Sequence, residues 1–359
     1  MMNRQETELA RLIKAKIRRS GPLTFRDFMA EALYDPQYGF YATGPLIGDS
    51  NGPFHTNARY SAFAFAWAQA IQQAETVLGY HLRIIELGGG TGELAANILS
   101  FLKEPHEYSI VDHSGGLQQQ QRARGLQSVQ NIKDLSPQPS FVFGNEILDA
   151  LPFHRVMGEA GGTLLEQYVA LDEQVDFVEW FSEPSSPGLL TRLSGEQVVL
   201  GRGQVAEICL AYEEIMAQLA ETVSTGYVCF IDYGDVAKNL YHYSKKNGTL
   251  RMFMNQQQTY DPYDHIGSQD LTCDVDYTAV IAHGREYGWD FVGLQSQSRW
   301  LQEIGIDQFL SVAMDSEEAQ HEITQLTHLA QLGSTFDVLA FKTPGLPDPP
   351  GFSGDEGSG

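Results

Sequence analysis

The segment from Ile84 to Ala95 restricts the fold of this chain more than any other. The apolar pair Ile84-Ile85 is followed by Glu86-Leu87, then by a glycine-rich stretch, and a helical pattern begins near Glu93. This order is typical of a strand, a tight turn and a helix N-terminus, where glycine lets the backbone approach a ligand closely and N–H groups point towards it. The segment predicts a ligand-binding turn in an α/β protein, with a turn that binds nothing as the alternative.

Glycine spacing distinguishes two cofactors that bind to such turns. A dinucleotide fingerprint, G-x-G-x-x-G, would place its third glycine at position 93 or 95, where this chain has Glu93 and Ala95. The pattern of Glu86 followed by glycines at 88, 90 and 92 instead resembles the E-x-G-x-G-x-G loop of S-adenosylmethionine-dependent methyltransferases. That resemblance implies that Glu86 faces the charged amino-acid end of the cofactor. The loop residues Gly88, Gly90, Thr91 and Gly92 would make room for the rest of it.

The composition favours a soluble globular protein and disfavours several partners. Hydrophobic residues make up 42% of the 359 residues, charged residues make up 19%, and no apolar run is long enough for a membrane span. The net charge of −23 argues against nucleic acid and favours a basic or neutral substrate. Three widely spaced cysteines suit a reducing, cytoplasmic compartment, and the scattered histidines do not indicate a metal site. A homodimer is one option for the assembly.

Short apolar runs alternate with helical patterns, which predicts a mostly parallel sheet. Seven strands with a closing hairpin match the class I methyltransferase form of the doubly wound, Rossmann-like sheet, whereas a six-stranded nicotinamide domain would not need that hairpin. The predicted strands are 82–87, 108–112, 128–132, 141–145, 227–232, 289–294 and 336–342.

The remaining segments suggest additions to this sheet. Residues 1–80 are predicted to form a helical and loop cap, which begins with an amphipathic helix built on Leu9, Leu12, Ile13 and Ile17. A mitochondrial presequence is the alternative for that helix. The methyltransferase domain covers 81–343, and its insertions at 150–205 and 236–286 follow strand ends, so we expect them to build a substrate chamber. The Pro/Gly-rich tail, 344–359, is expected to be disordered.

Acidic residues follow the second and third predicted strands. Asp112 comes about 20 residues after the glycine loop, the position from which an acid binds ribose hydroxyls. His113 follows it and is included with the cofactor site. The alternative is that Asp112 is an exposed strand-end residue in a turn with His113-Ser114-Gly115. Asp134-Leu135 is where an adenine ring would rest, but a turn aspartate explains that pair nearly as well.

The segment from Gly144 to Phe153 contains the second strong signal. A strand delivers Asn145 and Glu146 to its carboxyl end, and Asp149 follows three residues later. If a helical turn begins here, Glu146 and Asp149 share a face and could hold a cationic nucleophile beside the methyl group. The alternative is a helix N-terminus stabilised by acids in its first turn.

Further candidates for catalysis lie later in the chain. Asp232 and Tyr233 follow the fifth predicted strand, and Glu207 precedes a helix that leads into that strand. His154 is a nearby polar residue, for which a structural and a catalytic role are both open. If the methyl acceptor were oxygen or carbon, His154, Asp232 or Tyr233 could act as the base.

Taken together, these residues resemble the MidA-like family of methyltransferases, which includes a mitochondrial complex I assembly factor with protein-arginine methyltransferase activity. The resemblance extends from about residue 8 to 343. Besides the glycine loop and Asn145-Glu146, it rests on Phe25-Arg26-Asp27-Phe28-Met29, Tyr38-Gly39-Phe40-Tyr41, Asp149-Ala150-Leu151-Pro152, Ile231-Asp232-Tyr233-Gly234, Gly248-Thr249-Leu250-Arg251 and Val275-Asp276-Tyr277-Thr278. It implies methyl transfer from S-adenosylmethionine to an arginine nitrogen of a protein or peptide.

The chain departs from the family pattern on what we expect to be the substrate side. Arg59 stands where a carboxylate is usual, Gln256-Gln257 replaces a His-Arg pair, and Asp274 replaces a histidine. Methylation of a small metabolite is therefore an alternative. A non-catalytic assembly factor and a nicotinamide-dependent oxidoreductase are remoter ones.

Overall fold

The computed structural model describes residues 6–42, 56–255, 257–328 and 332–352. Within these ranges, helices α1 to α11 cover Glu8–Ser20, Phe25–Tyr34, Ser61–Leu78, Glu93–Phe101, Gly115–Ala123, Gly188–Gly195, Ala211–Thr222, Ala237–Leu240, Tyr277–Glu286, Gln297–Ile304 and Ser316–Thr327. Strands β1 to β17 cover Leu23–Thr24, Arg83–Leu87, Tyr108–Val111, Gln127–Val129, Gln138–Asn145, His154–Gly158, Leu164–Leu171, Phe177–Ser182, Val205–Ile208, Val223–Asp232, Gly234–Asp235, Arg251–Met254, Gln257–Thr259, Asp270–Thr272, Val275–Asp276, Asp290–Ser296 and Asp337–Lys342.

The chain divides into two compact units. The sheet unit consists of Leu46–Ile147, Ile215–Tyr233 and His283–Gly359. The insertion unit consists of Met1–Pro45, Leu148–Glu214 and Gly234–Ala282. Two of its segments nearly coincide with the predicted insertions at 150–205 and 236–286. That they form a substrate chamber stays a prediction.

The sheet unit contains the predicted seven-stranded sheet, in the order β16-β17-β10-β5-β2-β3-β4. Strands β10, β5, β2, β3 and β4 are parallel to one another, while β17 is antiparallel to both β10 and β16. The antiparallel pair of β16 and β17 closes the sheet as expected from the sequence, but helices α10 and α11 lie between the two strands in the chain, so the pair is not a hairpin. All five residues of β2 are buried, as are most of β5 and β10, which explains why these strands read as continuous apolar runs.

The boundary expected at residue 80 is wrong, because α3 belongs to the sheet unit. Its alanines and aromatic residues are buried on nearly all sides, as expected of a helix inside a core rather than one in a cap. The ring of Trp67 stacks on Phe143 of β5 with 4.4 Å between centroids and lies 4.7 Å from that of Trp300.

The disorder expected for 344–359 does not apply to residues 344–352, which pack against the sheet unit. The carbonyl of Pro347 accepts a hydrogen bond of 3.1 Å from the Tyr227 hydroxyl, and that of Gly351 accepts one from Gln295. Phe352 packs on the hydrophobic core, so a few apolar and backbone contacts are enough to order this Pro/Gly-rich segment. Residues 353–359 lie outside the described residues.

The insertion unit has a sheet of its own. Strand β7 pairs with β8 along one edge and with β6 and β1 along the other, and β9 pairs with β6, all antiparallel. Helix α1 belongs to this unit, as expected for the first element of the fold. Thr7 caps its N-terminus and Gly21 ends it. Leu9, Ile13 and Ile17 are buried, but Leu12, which we placed on the same face, is 46% exposed.

Among the described residues, no helix has both the length and the apolar character needed to cross a bilayer. Cys209, Cys229 and Cys273 are all buried and unbridged.

Candidate functional site

The glycine loop lies at the carboxyl end of β2, where the sequence predicted it. Gly88, Gly90 and Gly92 have positive φ angles of 70°, 51° and 80°, a backbone region that glycine enters at little cost. A Cβ atom on Gly88 would lie 2.5 Å from Cγ2 of Ile147, so there is no room for a larger residue unless that side chain moves. Helix α4 starts directly after the loop, which turns its free N–H groups towards the same edge.

Glu86 lies beneath this loop and is nearly inaccessible, with 3% of its surface exposed. Its Oε2 atom accepts a hydrogen bond of 2.8 Å from the Tyr108 hydroxyl. Burial raises the pKa of Glu86 from 4.5 to about 7; the bond from Tyr108 opposes this rise and the charge of Asp112 adds to it. The two carboxylates are therefore close enough to influence each other.

Asp112 comes directly after β3 and is also buried. Its Oδ1 accepts a hydrogen bond of 2.9 Å from the Ser114 backbone N–H, and its Oδ2 accepts one of 2.9 Å from Nε2 of Gln121. Nε2 of Gln121 also donates to the carbonyl of Gly90 at 2.8 Å, which ties Asp112 to the loop. Burial raises the pKa of Asp112 to about 6, although these hydrogen bonds oppose the rise.

These two acids have the chemistry expected of the predicted cofactor site. Among the described residues, no lysine, arginine or histidine forms an ion pair with Glu86 or Asp112. A buried carboxylate without a cation is costly, and a cationic or hydroxyl-bearing ligand would offset that cost. S-Adenosylmethionine offers both, because it carries an ammonium group, a sulfonium and two ribose hydroxyls. The residues present therefore fit this cofactor.

The other predicted cofactor residues differ in their surroundings. Thr91 is buried, and its carbonyl accepts a hydrogen bond of 3.0 Å from Arg124, whereas His113 is exposed. Asp134 caps its own turn by accepting hydrogen bonds from the backbone and side chain of Asn131 at 3.0 and 3.2 Å. This is the turn role that the sequence left open for Asp134. Leu135 beside it is buried.

Asn145 ends β5 as predicted, but the helical turn expected after it is absent from the described backbone. Glu146 has a φ of 53°, and bends and turns follow it, so its backbone leaves the strand in the left-handed region. The Glu146 N–H donates to the carbonyl of Ile231 at 2.8 Å, and its Oε1 accepts a 2.9 Å hydrogen bond from the Asn145 amide. The argument that Glu146 and Asp149 share a helical face is therefore wrong.

A network of side-chain amide hydrogen bonds connects Asn145 to the buried residues Asn57 and Gln297. Nδ2 of Asn57 donates to Oδ1 of Asn145 at 3.3 Å and to Oε1 of Gln297 at 2.8 Å, and Gln297 returns a hydrogen bond of 3.2 Å to Asn57. Sequence reasoning missed Asn57, Gln297 and Gln121, because single amides in unrelated segments carry no spacing signal.

Asp232 and Tyr233 lie at the end of β10, next to β5 in the sheet. Asp232 is 1% exposed, and its Oδ1 accepts a hydrogen bond of 3.0 Å from the Tyr233 N–H. The Tyr233 ring packs edge-on against Phe336 at 5.9 Å. Thus Glu86, Asp112, Glu146 and Asp232 end four neighbouring strands at one edge of the sheet, where ligands bind in open α/β proteins.

The remaining predicted catalytic residues belong to the insertion unit. Asp149 is buried, and its carbonyl accepts a hydrogen bond of 3.1 Å from the Cys273 N–H. The carboxylate of Asp149 lies close enough to Tyr41 for its charge to act on the phenol. The Tyr41 hydroxyl donates a hydrogen bond of 3.1 Å to Asp270. Burial raises the pKa of Tyr41 well above 10, and the charges of Asp270, Tyr34 and Asp149 add to the rise.

His154 and Glu207 both lie in buried polar pairs of this unit. Nδ1 of His154 is 2.7 Å from Oε1 of Glu166. Burial would raise the pKa of Glu166, but hydrogen bonds from His154 and Ser185 lower it below its usual value. Glu207 accepts a 3.0 Å hydrogen bond from Arg155 and a 2.7 Å one from the Thr249 N–H. These contacts favour structural roles for both residues.

The structure describes some, but not all, of the residues that depart from the family pattern. Arg59 lies over the ring of Tyr60, 5.3 Å from its centroid, and Asp274 pairs with Arg251 and Lys245. Gln257 is exposed in β13. Residues 53–55 and Gln256 lie outside the described residues.

Comparison with known proteins identifies the class to which this arrangement belongs. The family model described as "Putative S-adenosyl-L-methionine-dependent methyltransferase" matches residues 63–295, from α3 to β16. Since the match covers more than half of the chain, the protein belongs to this family.

Individual relatives agree with this classification over most of their length. The chain is 28% identical to the protein arginine methyltransferase NDUFAF7 homolog, mitochondrial, of Drosophila melanogaster, over 92% of this chain and 84% of that protein. It is 26% identical to human protein arginine methyltransferase NDUFAF7, mitochondrial, over 86% and 76%. A crystal structure of a Burkholderia thailandensis protein bound to S-adenosylhomocysteine superposes with a TM-score of 0.84 and 30% identity, over 96% of this chain and 94% of that one.

The protein is therefore an S-adenosylmethionine-dependent methyltransferase of class I fold. The assignment of individual residues to the cofactor, with Glu86, the glycine loop and Asp112 at its centre, stays a prediction.

Proposed function

We propose that the protein transfers the methyl group of S-adenosylmethionine to an arginine nitrogen of a protein or peptide. Support comes from its relatives in the fly and in humans, which are named protein arginine methyltransferases and are similar over nearly the whole chain. The net charge of −23 also favours a cationic acceptor.

The observation that carries the proposal is the position of Glu146. Its left-handed φ of 53° is costly for a residue with a side chain, and strain of this kind tends to persist at functional sites. The hydrogen bonds to Ile231 and from Asn145 hold this half-buried carboxylate at the carboxyl end of β5, one strand away from the glycine loop. Asp232 provides a second carboxylate at the end of the next strand.

These carboxylates suit the recognition of a guanidinium group. S-Adenosylmethionine supplies a methyl group that is already activated by a positively charged sulfur, so the protein mainly has to align donor and acceptor. Such alignment can contribute roughly 7–11 kcal/mol to lowering a barrier. In our proposal Glu146 binds the planar, multidentate guanidinium in a fixed orientation and takes up the proton that leaves it.

The proposal is tested by following the methyl group. Purified protein is incubated with radiolabelled S-adenosylmethionine and a cell lysate, and the labelled protein is hydrolysed to amino acids. We expect methylarginine to carry the label. Label in small molecules would favour a metabolite as the acceptor, and label in another amino acid would contradict arginine.

Two variants test whether Glu146 takes part in methyl transfer. At saturating cofactor, we expect Glu146→Gln to lower kcat by about 100-fold or more, because the carboxylate no longer orients and deprotonates the acceptor. Glu303→Gln is the matched control, since Glu303 belongs to an exposed ion pair with Arg299 on α10. Equal activity of both variants would remove Glu146 from the mechanism.

We also infer that the protein works in a reducing compartment, with the cytoplasm as our prediction. The three buried, unbridged cysteines support this inference. Their lack of accessible thiolate predicts that alkylating reagents modify the native protein slowly.

A further inference from the structure

Glu75, His81 and His106 form a cluster at the amino end of the seven-stranded sheet, the edge opposite the glycine loop. Glu75 lies in the last turn of α3, His81 lies in the connection from α3 to β2, and His106 lies just before β3. The ligand atoms of these three side chains lie within 4.8 Å of one another. The sequence did not indicate a metal site here, because the three residues belong to separate connections without a ligand spacing.

The contacts of His106 place its Nε2 atom next to the carboxylate of Glu75. Nδ1 is 2.7 Å from the carbonyl oxygen of Glu104, and a carbonyl only accepts, so Nδ1 carries a proton. In a neutral ring, Nε2 then holds a lone pair. Yet Nε2 lies 3.0 Å from both carboxylate oxygens of Glu75, which are also acceptors. Two acceptors at this distance need a proton or a metal ion between them, and the third side chain close by favours a metal ion.

The surrounding atoms resemble the first and second shells of a metal site. Nδ1 of His81 approaches Oε2 of Glu75 at 3.2 Å, and the two imidazole rings are nearly perpendicular at 89°. Ligands about 2.0–2.1 Å from a tetrahedral Zn²⁺ lie about 3.3 Å from one another, which is close to these separations. Histidine ligands usually donate their other N–H to a carbonyl, as His106 does to Glu104, and the Leu82 N–H orients the Glu75 carboxylate at 2.8 Å.

We propose that Glu75, His81 and His106 bind one Zn²⁺ ion through Glu75 oxygen, His81 Nδ1 and His106 Nε2. Imidazole and carboxylate ligands suit Zn²⁺, and the His81 side chain is 66% exposed, which provides a path of entry and a fourth position for water. The ion links the end of α3 to the connections that lead into β2 and β3. Its role is structural, because it lies at the edge of the sheet away from the predicted cofactor residues.

Zinc binding is measured on full-length protein that has been treated with a chelator and then dialysed. Titration with Zn²⁺ in a calorimeter should show one ion per chain, and Tm should rise because the ion binds the folded state. Titration with Co²⁺ should produce the visible absorption of a low-symmetry nitrogen and oxygen site. Absence of Zn²⁺ binding to the folded protein would overturn the proposal.

Single substitutions locate the ion. His81→Gln removes one exposed ligand without disturbing the core, and we expect it to weaken Zn²⁺ binding by more than about tenfold. His106→Gln should do the same and abolish the Co²⁺ absorption. His283→Gln is the matched control, because His283 also pairs with a glutamate, Glu286 at 3.1 Å, but belongs to no three-residue ligand cluster among the described residues. Unchanged affinity in both cluster variants would place the zinc elsewhere and contradict the assignment.

Discussion

The buried carboxylates at the two ends of the central strands β2 and β3 have different kinds of partners. At the carboxyl end, Glu86 and Asp112 are held by neutral donors, namely Tyr108, Ser114 and Gln121. No cationic side chain among the described residues pairs with these two acids. At the amino end, the carboxylate of Glu75 is instead surrounded by two imidazoles. Burial raises the pKa of both Glu86 and Asp112, and the neutral donors oppose this rise only in part. At the amino end, potential cations lie directly beside the acid.

This difference indicates what each end can bind. At the carboxyl end the two acids have no cationic side chain as a partner among the described residues, and the loop beside them is rich in glycine. This end therefore suits an organic cation that carries hydroxyl groups. The amino end has three converging ligand atoms and suits a single metal ion. The two ends lie about 15 Å apart, the length of a five-residue strand. They can therefore be perturbed separately, and the following predictions start with the largest effect.

Replacing Glu86 by glutamine should change how stability depends on pH. The pKa of Glu86 is about 7 in the folded protein and near 4.5 when unperturbed, so the folded state binds its proton more tightly than the unfolded chain. The free energy of unfolding of the cofactor-free protein should therefore fall as the pH rises from about 4.5 to 7, by up to about 3 kcal/mol at 1.36 kcal/mol per pKa unit. Glu86→Gln should flatten this fall in urea titrations, and an unchanged slope would contradict the burial of an unpaired acid.

Alanine at Gly88 should weaken cofactor binding, whereas alanine at Gly125 should not. Both glycines have positive φ angles, of 70° and 81°, so both variants carry a similar backbone strain of about 1 kcal/mol. Only at Gly88 does the new Cβ meet a neighbour, Ile147, and only Gly88 belongs to the predicted cofactor loop. We expect affinity for S-adenosylhomocysteine, measured by calorimetry, to fall about 30-fold in Gly88→Ala. The loop has to move away from Ile147, and we expect it to lose about two hydrogen bonds to the ligand at about 1 kcal/mol each. Equal affinities would show that the loop does not hold the cofactor.

Asp112, directly after β3, and Asp134, in the turn that follows β4, allow a matched test of ribose binding. Asp112→Ala should weaken S-adenosylhomocysteine binding by at least about tenfold, because hydrogen bonds to a charged group contribute about 1.5–3 kcal/mol. Asp134→Ala should leave the affinity nearly unchanged, since the Asp134 carboxylate caps its own turn. A larger loss for Asp134→Ala than for Asp112→Ala would reverse this assignment.

The smallest effect concerns coupling between the two ends. Over about 15 Å, charges separated by more than a Debye length of about 8 Å are largely screened when solvent can intervene. We therefore expect His106→Gln, or removal of zinc with a chelator, to alter the Kd for S-adenosylhomocysteine by less than about twofold. A tenfold change would show that the ends act as one site.

The sequence predicted the carboxyl end well because its signals are contiguous. Glu86 and the three glycines lie within seven residues, and the strands around them are apolar throughout, so the sheet and its cofactor follow from local patterns. Asp112 could be placed because it follows the next strand at the spacing typical of a ribose acid.

Features that depend on tertiary contacts could not be predicted in this way. The helical turn expected after Asn145 does not form, because the Glu146 N–H bonds to Ile231 on a strand far away in sequence. The cap boundary at residue 80 was wrong because α3 is buried on several sides. The usual sequence criterion, an amphipathic pattern, identifies surface helices and does not show which core a fully buried helix belongs to. The metal-binding cluster joins positions 75, 81 and 106, which share no motif.

The central claim is that the glycine loop, Glu86 and Asp112 bind S-adenosylmethionine, and a crystal structure with S-adenosylhomocysteine tests it most directly. The account predicts ribose hydroxyls within hydrogen-bonding distance of the Asp112 carboxylate and the amino-acid end of the ligand near Glu86. A ligand bound elsewhere, with Asp112 still contacting only Ser114 and Gln121, would contradict the account.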